Sequence, residues 1–286
     1  MRKSIIFAIF CNLSLAAVLG QNRGVTNNYV YAFAVGSSVN VRAEPNPAAR
    51  VVGQLALGQR VEQDYNYQDT MMNIKGVEGR WVSIKADNKS GFVWSPLLAL
   101  GIVKNGTNPD IMFLLGRTNS QDSMKIVVMQ AGKLLQTLVF SARYSGEGGE
   151  RFMGFSTLGK AGITNIDELL AVYLGAMACG GTSEDIMFAW DGQRLHHFFT
   201  AADSSEGGGD DNTWIARTYI VLPIDADGEK GVIHYYSEMG DNVEDEDETE
   251  AETSTGEPRQ PDPIVYSEKI HKVMVWNGTT LVEKKQ

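Results

Sequence analysis

Residues 39–98 read VNVRAEPNPAARVVGQLALGQRVEQDYNYQDTMMNIKGVEGRWVSIKADNKSGFVWSPLL. VNVR alternates apolar and polar side chains and stops at EPNPAAR, a loop with two prolines. VVGQLALGQRVEQDY then reads as two strand pieces about a turn at Gly58. RWVSIKA sets Trp81 and Ser83 on one side of a strand and Val82 and Ile84 on the other, and a turn at 87–91 leads into GFVWSPLL. Period-two alternation is the mark of a half-buried strand. Five short strands in so few residues predict a small barrel, because closure removes exposed edges. Its expected core is Val39, Val41, Val52, Leu55, Val61, Val82, Ile84 and Val93.

The order of these blocks resembles the bacterial SH3-type domain. The matching residues are Val39-Asn40-Val41-Arg42, Pro45, Val52-Gly53, Leu57-Gly58, Trp81-Val82, Gly91-Phe92-Val93 and Leu97 or Leu98. Two features depart from that pattern. Phe92 stands where tryptophan is usual, and the loop from Asn66 to Gly79 is long. The resemblance implies a β-barrel whose relatives often bind peptidoglycan or its peptide stems. Tyr65, Tyr67, Phe92 and Trp94 are the aromatic residues expected to line a shallow cleft, since flat rings grip peptide and sugar faces. Trp81 is expected to pack, and Arg42 to brace the first loop through backbone carbonyls.

Upstream, Arg2 and Lys3 precede an almost wholly apolar run from Ile5 to Leu19, and Val18-Leu19-Gly20 offers a cleavage site before Gln21. That is the plan of a secretory signal peptide over residues 1–20, and the run is short for a membrane span. Export to the periplasm or beyond is expected, with no span after cleavage. Phe10 before Cys11 is too large for a lipoprotein box, so the mature chain would keep one thiol, Cys179. Residues 21–38 read as a separate segment ahead of the barrel.

The formal net charge of −10 argues against nucleic acid as a partner. Much of the acidity sits in DNVEDEDETEAE, Asp241 to Glu252, which has eight acidic residues and no basic one. With the proline-containing stretch that follows, residues 241–263 read as a disordered, solvated insertion.

From residue 108 to the end one device recurs. IVVMQAGKLLQTL, IMFAWDGQRLHHF and VMVWNGTTLVEKK each hold a β-rich run, a turn ending in glycine and a second run with leucine. The turns are Ala131-Gly132, Asp191-Gly192 and Asn277-Gly278, and the last two have the residue types of tight two-residue hairpins. Each is preceded by a further β-rich run: Ile111 to Leu115, Ile166 to Leu174 and Tyr219 to Tyr236. A repeated-hairpin β domain is expected, either a few-bladed propeller-like form or a sandwich. The fold class is therefore all-β throughout. Asp225-Ala226-Asp227-Gly228-Glu229 faintly resembles the aspartate-rich turns of integrin-type propeller repeats. The resemblance implies calcium at Asp225, Asp227 and Glu229, and a solvated turn is the competing reading.

The residues able to support catalysis here are Cys179, His196, His197, His234 and His271. Cys179 lies in GAMACGGTS, between strand-like runs, and lacks the helix-start context of NlpC-type cell-wall peptidases. His196 and His197 fall on opposite faces of one strand. The reading is thus a non-enzymatic envelope protein without a cofactor, whose barrel contacts peptidoglycan or a peptide. Two alternatives stay open: a structural protein whose repeat domain binds another envelope protein, and a cysteine hydrolase built on Cys179.

Overall fold

The computed structural model describes residues 31–63, 71–87, 89–120, 123–142, 151–175, 182–207, 213–242 and 264–285. The signal segment with Cys11, the residues Tyr65, Tyr67 and Cys179, and positions 243–263 lie outside them. The fold is all-β: among the described residues the only helical element is a 3-10 turn, Ser95–Leu97. No helix among them is long and apolar enough to cross a membrane.

The first sheet contains β1 (Tyr31–Phe33), β2 (Val39–Arg42), β3 (Val51–Leu55) and β4 (Arg60–Gln63). A separate small hairpin follows, β5 (Met72–Ile74) and β6 (Val77–Gly79), and then come β7 (Trp81–Ala86) and β8 (Lys89–Trp94). The strand order is β1-β4-β7-β8-β2-β3, and all six strands contribute to one core. Alternation decides which residues enter it. Val39, Val41, Leu55, Val61, Val82, Ile84 and Val93 are buried, and Val52 packs against them partly buried.

Two boundaries move. The segment expected to precede the sheet supplies its edge, because Ala32 and Ala34 alternate inward and β1 pairs Tyr31 with Glu62 and Phe33 with Arg60. The long middle loop is partly strand. β5 and β6 turn at Lys75-Gly76, both at positive φ, and Asn73 Oδ1 accepts the Gly76 N–H at 2.8 Å.

The next sheet has β9 (Gly101–Lys104), β10 (Ile111–Arg117), β11 (Ser123–Gln130) and β12 (Lys133–Ser141), in the order β12-β11-β10-β9. It starts earlier than residue 108, because Gly101–Lys104 pairs with β10. An eight-stranded meander completes the chain. Its strands are β13 (Arg151–Thr157), β14 (Glu168–Gly175), β15 (Thr182–Trp190), β16 (Leu195–Gly207), β17 (Thr213–Val221), β18 (Ile233–Asn242), β19 (Ile264–Trp276) and β20 (Leu281–Glu283). Each pairs antiparallel with the next. Gly207 closes β16 opposite Thr213, and Asp241 and Asn242 belong to β18, so the acidic stretch begins inside a strand.

Of the two arrangements open to the repeated hairpins, the structure shows sheets facing each other. Phe113, Leu115, Ile126 and Val128 of the four-stranded sheet share a core with Leu170, Val172, Ile186, Phe188 and Trp190 of the meander. The opposite side of the central strands β10 and β11 is also covered, although β12 leaves Leu135 and Val139 exposed there. There Leu114, Val127 and Met129 meet Val35 and Leu57 from the N-terminal part. A further core on the other side of the meander gathers Leu169, Met187, Ala189, Phe198, Ile220 and Trp276.

The three hairpins exist, but their turns reverse the expectation. Ala131-Gly132 is the tight two-residue turn, with both φ positive (48° and 81°). The Asp-Gly and Asn-Gly pairs open four-residue loops, since Trp190 pairs with Leu195 and Trp276 with Leu281. The reason is the side chain. Asp191 Oδ1 accepts the N–H groups of Gln193 and Arg194 at 2.8 and 2.6 Å, and Asn277 Oδ1 accepts those of Thr279 and Thr280 at 2.9 Å each. Only the glycine then needs a positive φ.

Gly91 sets how the first sheet holds together. A Cβ there would stand 2.5 Å from the Arg42 carbonyl oxygen and 2.8 Å from Val41 Cγ1. The absence of a side chain lets β8 approach β2, which it meets at the single pair Arg42–Phe92. Backbone cannot swing aside as a side-chain tip can. Gly91→Ala is therefore expected to cost about 1–3 kcal/mol in urea unfolding, in the range for overpacking. An unchanged midpoint would show that the strands separate without penalty.

Candidate functional site

The hairpin β7–β8 brings its two tryptophans together. Trp81 and Trp94 are opposite each other in the register, with ring centroids 5.6 Å apart and planes inclined by 57°. The inward face of the same hairpin carries Val82, Ile84 and Val93, so both indoles lie on the side away from that core. They help line a cleft of about 210 Å³. Asn40 and Arg42 border it from β2, Pro47 from the first loop, Ile74 from the small hairpin, and Ser38 and Leu97 from the ends.

The cleft is held by local bonds. Arg42 Nη1 donates to the Ala49 carbonyl at 2.6 Å, which fixes the two-proline loop as expected of a brace. Gln54 Nε2 donates to Asn40 Oδ1 at 2.9 Å. Ser95 Oγ accepts the Arg80 N–H at 3.0 Å, and Ser95 N donates to the Arg80 carbonyl at 2.8 Å, so the chain on either side of the tryptophans is pinned. Trp81 is 3% exposed and its Nε1 is buried without a hydrogen-bond partner.

Of the aromatic residues expected here, Trp94 lines the cleft. Phe92 is half-buried on the same strand, in register with Arg42 and Ser83, and is not among the lining residues. Tyr65 and Tyr67 fall outside the described residues. Trp81, expected only to pack, both packs and lines the cleft. The turn expected at 87–91 hid this, because β8 already begins at Lys89, paired with Ala86, and that register sets Trp81 opposite Trp94. Ile74 carried no signal, since its position depends on how the small hairpin lies on the sheet.

Two of the three carboxylates considered for calcium, Asp225 and Glu229, have other engagements. Asp225 Oδ2 accepts the Leu222 N–H at 2.7 Å, while burial and the neighbouring Asp227 push its carboxyl up. Glu229 Oε2 lies 3.7 Å from His234 Nε2. Among the described residues no group of three metal-ligating side chains gathers. Asp225 to Glu229 also interrupt what reads as one run from Tyr219 to Tyr236, separating β17 from β18.

A second ordered surface lies on β17, β18 and β19. Tyr219, Tyr236 and His271 are in register and their rings are stacked, at 4.9 Å for the tyrosine pair and 4.6 Å for Tyr236–His271. His234 Nδ1 and His271 Nε2 share a hydrogen bond at 3.0 Å. One register step on, Arg217 pairs with Glu238, and Arg217 and Lys269 sit over the Tyr266 ring at 5.9 and 3.8 Å. His196 and His197 part as strand geometry requires. His196 reaches Asp191 and the Trp276 ring, and His197 reaches Thr200 and the Phe188 ring.

No family model, curated protein or solved structure matches the chain.

Among the meander's carboxyls, Asp185 is expected to contribute a pH dependence of stability. Burial pushes Asp185 on β15 up to about 6. The unfolded chain loses that proton near pH 4. Between about pH 4 and 6 the folded state therefore binds more protons, and stability falls as pH rises through that window. Asp185→Asn is expected to lessen this slope, to which the raised carboxyls of Glu168 and Asp225 also contribute, and to raise stability at pH 7 by about 1–3 kcal/mol. Parallel denaturation of both proteins at pH 4 and pH 7 checks it, and equal slopes would contradict it.

Proposed function

We propose that the protein is exported and works as a non-enzymatic binding protein of the cell envelope, its N-terminal sheet contacting peptidoglycan or a peptide through the Trp81–Trp94 cleft. The observation that carries this is the cleft itself, with two tryptophans on a braced frame and a rim of mixed polar and apolar groups. Aromatic floors with a few placed polar groups suit extended ligands. The resemblance of residues 39–98 to bacterial SH3-type domains supports the choice of wall material over other ligands. The signal-like N-terminus supports export, and mass measurement of secreted protein is expected to place its first residue at Gln21.

A second reading places binding on the meander, with another envelope protein as partner. The stacked Tyr219–Tyr236–His271 row, flanked by Arg217 and Lys269, favours it. The two readings separate in one experiment on the full mature chain. The protein is mixed with purified sacculi, spun, and the pellet measured. Wild type and Tyr236→Ser are expected to pellet equally. Trp94→Ala, shown by circular dichroism to be folded, and Pro47→Glu, a change at an exposed rim position, are expected to lose most of the pelleting. Loss in Tyr236→Ser alone transfers the site to the meander. Absence of pelleting in wild type refutes wall binding.

A further inference from the structure

We infer that the cleft takes its ligand by a carboxylate, with Arg42 as the receiving group, so that the ligand class is a short extended peptide ending in a free carboxyl. This rests on reading the cleft as a binding site and adds the chemistry of what it selects.

Arg42 is the only charged side chain among the eight that line the cleft. One of its nitrogens is committed to the Ala49 carbonyl, and among the described residues no carboxylate forms an ion pair with it. A guanidinium has five N–H donors in a planar fork. The bond to Ala49 holds that fork in place and leaves most of its donors unspent. A fixed fork of this kind matches the two oxygens of a carboxylate.

The charge distribution favours the same partner. Residues 31–100 hold seven lysines and arginines against six acidic residues, whereas residues 101–286 hold fifteen against twenty-nine. An anion is repelled by most of this molecule and not by the part that bears the cleft. A single arginine is a small complement for phosphate polymers, which reward several cations. The other lining groups ask for something mostly apolar beside the anion: Pro47, Ile74, Leu97 and the two tryptophans, with Ser38 and Asn40 to meet amide groups. A peptide terminus with small side chains provides an anion, amides and methyl groups in that arrangement.

The test uses the full mature chain with ¹⁵N-labelled tryptophan and two probes, N-acetyl-alanyl-alanine as the free acid and as its C-terminal amide. Binding is followed by the indole N–H signals. The acid is expected to bind about tenfold more tightly than the amide, and added salt to weaken only the acid. Arg42→Gln, which removes the charge and the guanidinium fork, is expected to bring the acid down to the level of the amide. Equal binding of acid and amide by wild type overturns the inference, as does a preference that survives Arg42→Gln. Should Arg42→Gln fail to fold, the salt dependence in wild type decides. If neither probe binds while sacculi still pellet, the carboxylate assignment falls and the cleft reading stands. If pelleting is absent as well, both fall.

Discussion

The central strands β10 and β11 of the four-stranded sheet are apolar on both faces, and the fold is organised around the need to cover both. Phe113, Leu114 and Leu115 follow one another in β10 with no measurable exposure, and Ile126 to Met129 do nearly the same in β11. Alternation puts Phe113, Leu115, Ile126 and Val128 toward the meander and Leu114, Val127 and Met129 toward the N-terminal part. Burying one large aliphatic or aromatic side chain contributes about 1.5–3 kcal/mol. Neither face can be left to water. The N-terminal sheet is thus a cover for the middle sheet as well as the bearer of the cleft, and its Val35 and Leu57 would be stranded without their partner.

The polar links follow the same geometry. Glu168, 1% exposed at the start of β14, accepts the Gly106 N–H at 2.7 Å and so ties the β9–β10 loop to the meander. Burial is the largest influence on its carboxyl and pushes it up, outweighing the backbone bonds that favour the charge. Gln136 performs a similar task at the other end. Its side-chain amide both donates to the carbonyl and accepts from the N–H of Leu195, imitating a strand partner where β12 and β16 come together.

What could be read from the sequence was the local part of this. Alternation placed the first core, and the three glycine turns located three hairpins. The two-sided burial of the middle sheet was also written in the chain, as the unbroken runs IMFLL and IVVM, because a strand covered on both faces loses its polar alternation. Those runs join the N-terminal part to the meander, which a boundary between residues 100 and 108 would separate. The turn types were misjudged because an Asx side chain can cap a longer loop as readily as it can occupy a tight one. Trp94 was legible as a cleft residue, and Trp81 was half legible. Ser38, Pro47, Ile74 and Leu97 were not, since their roles arise from loops and a hairpin folding over the sheet, and no local pattern encodes that.

The two four-residue loops are chemical siblings, Trp-Asp-Gly at 190–192 and Trp-Asn-Gly at 276–278, and they age differently. An asparagine before glycine is prone to cyclise onto the next backbone nitrogen and lose ammonia. Ring opening one way leaves aspartate, and the Asp191 loop shows that a carboxylate holds the same pair of N–H groups. Opening the other way adds a carbon to the main chain just where Asn277 N bonds the Thr280 carbonyl at 3.1 Å. The added atom falls inside the four-residue loop that sets Trp276 opposite Leu281. Of two otherwise matched turns, the last hairpin thus has the chemically shorter-lived one, since an aspartate before glycine cyclises more slowly than an asparagine, and the change falls at the turn that leads into the closing strand of the meander.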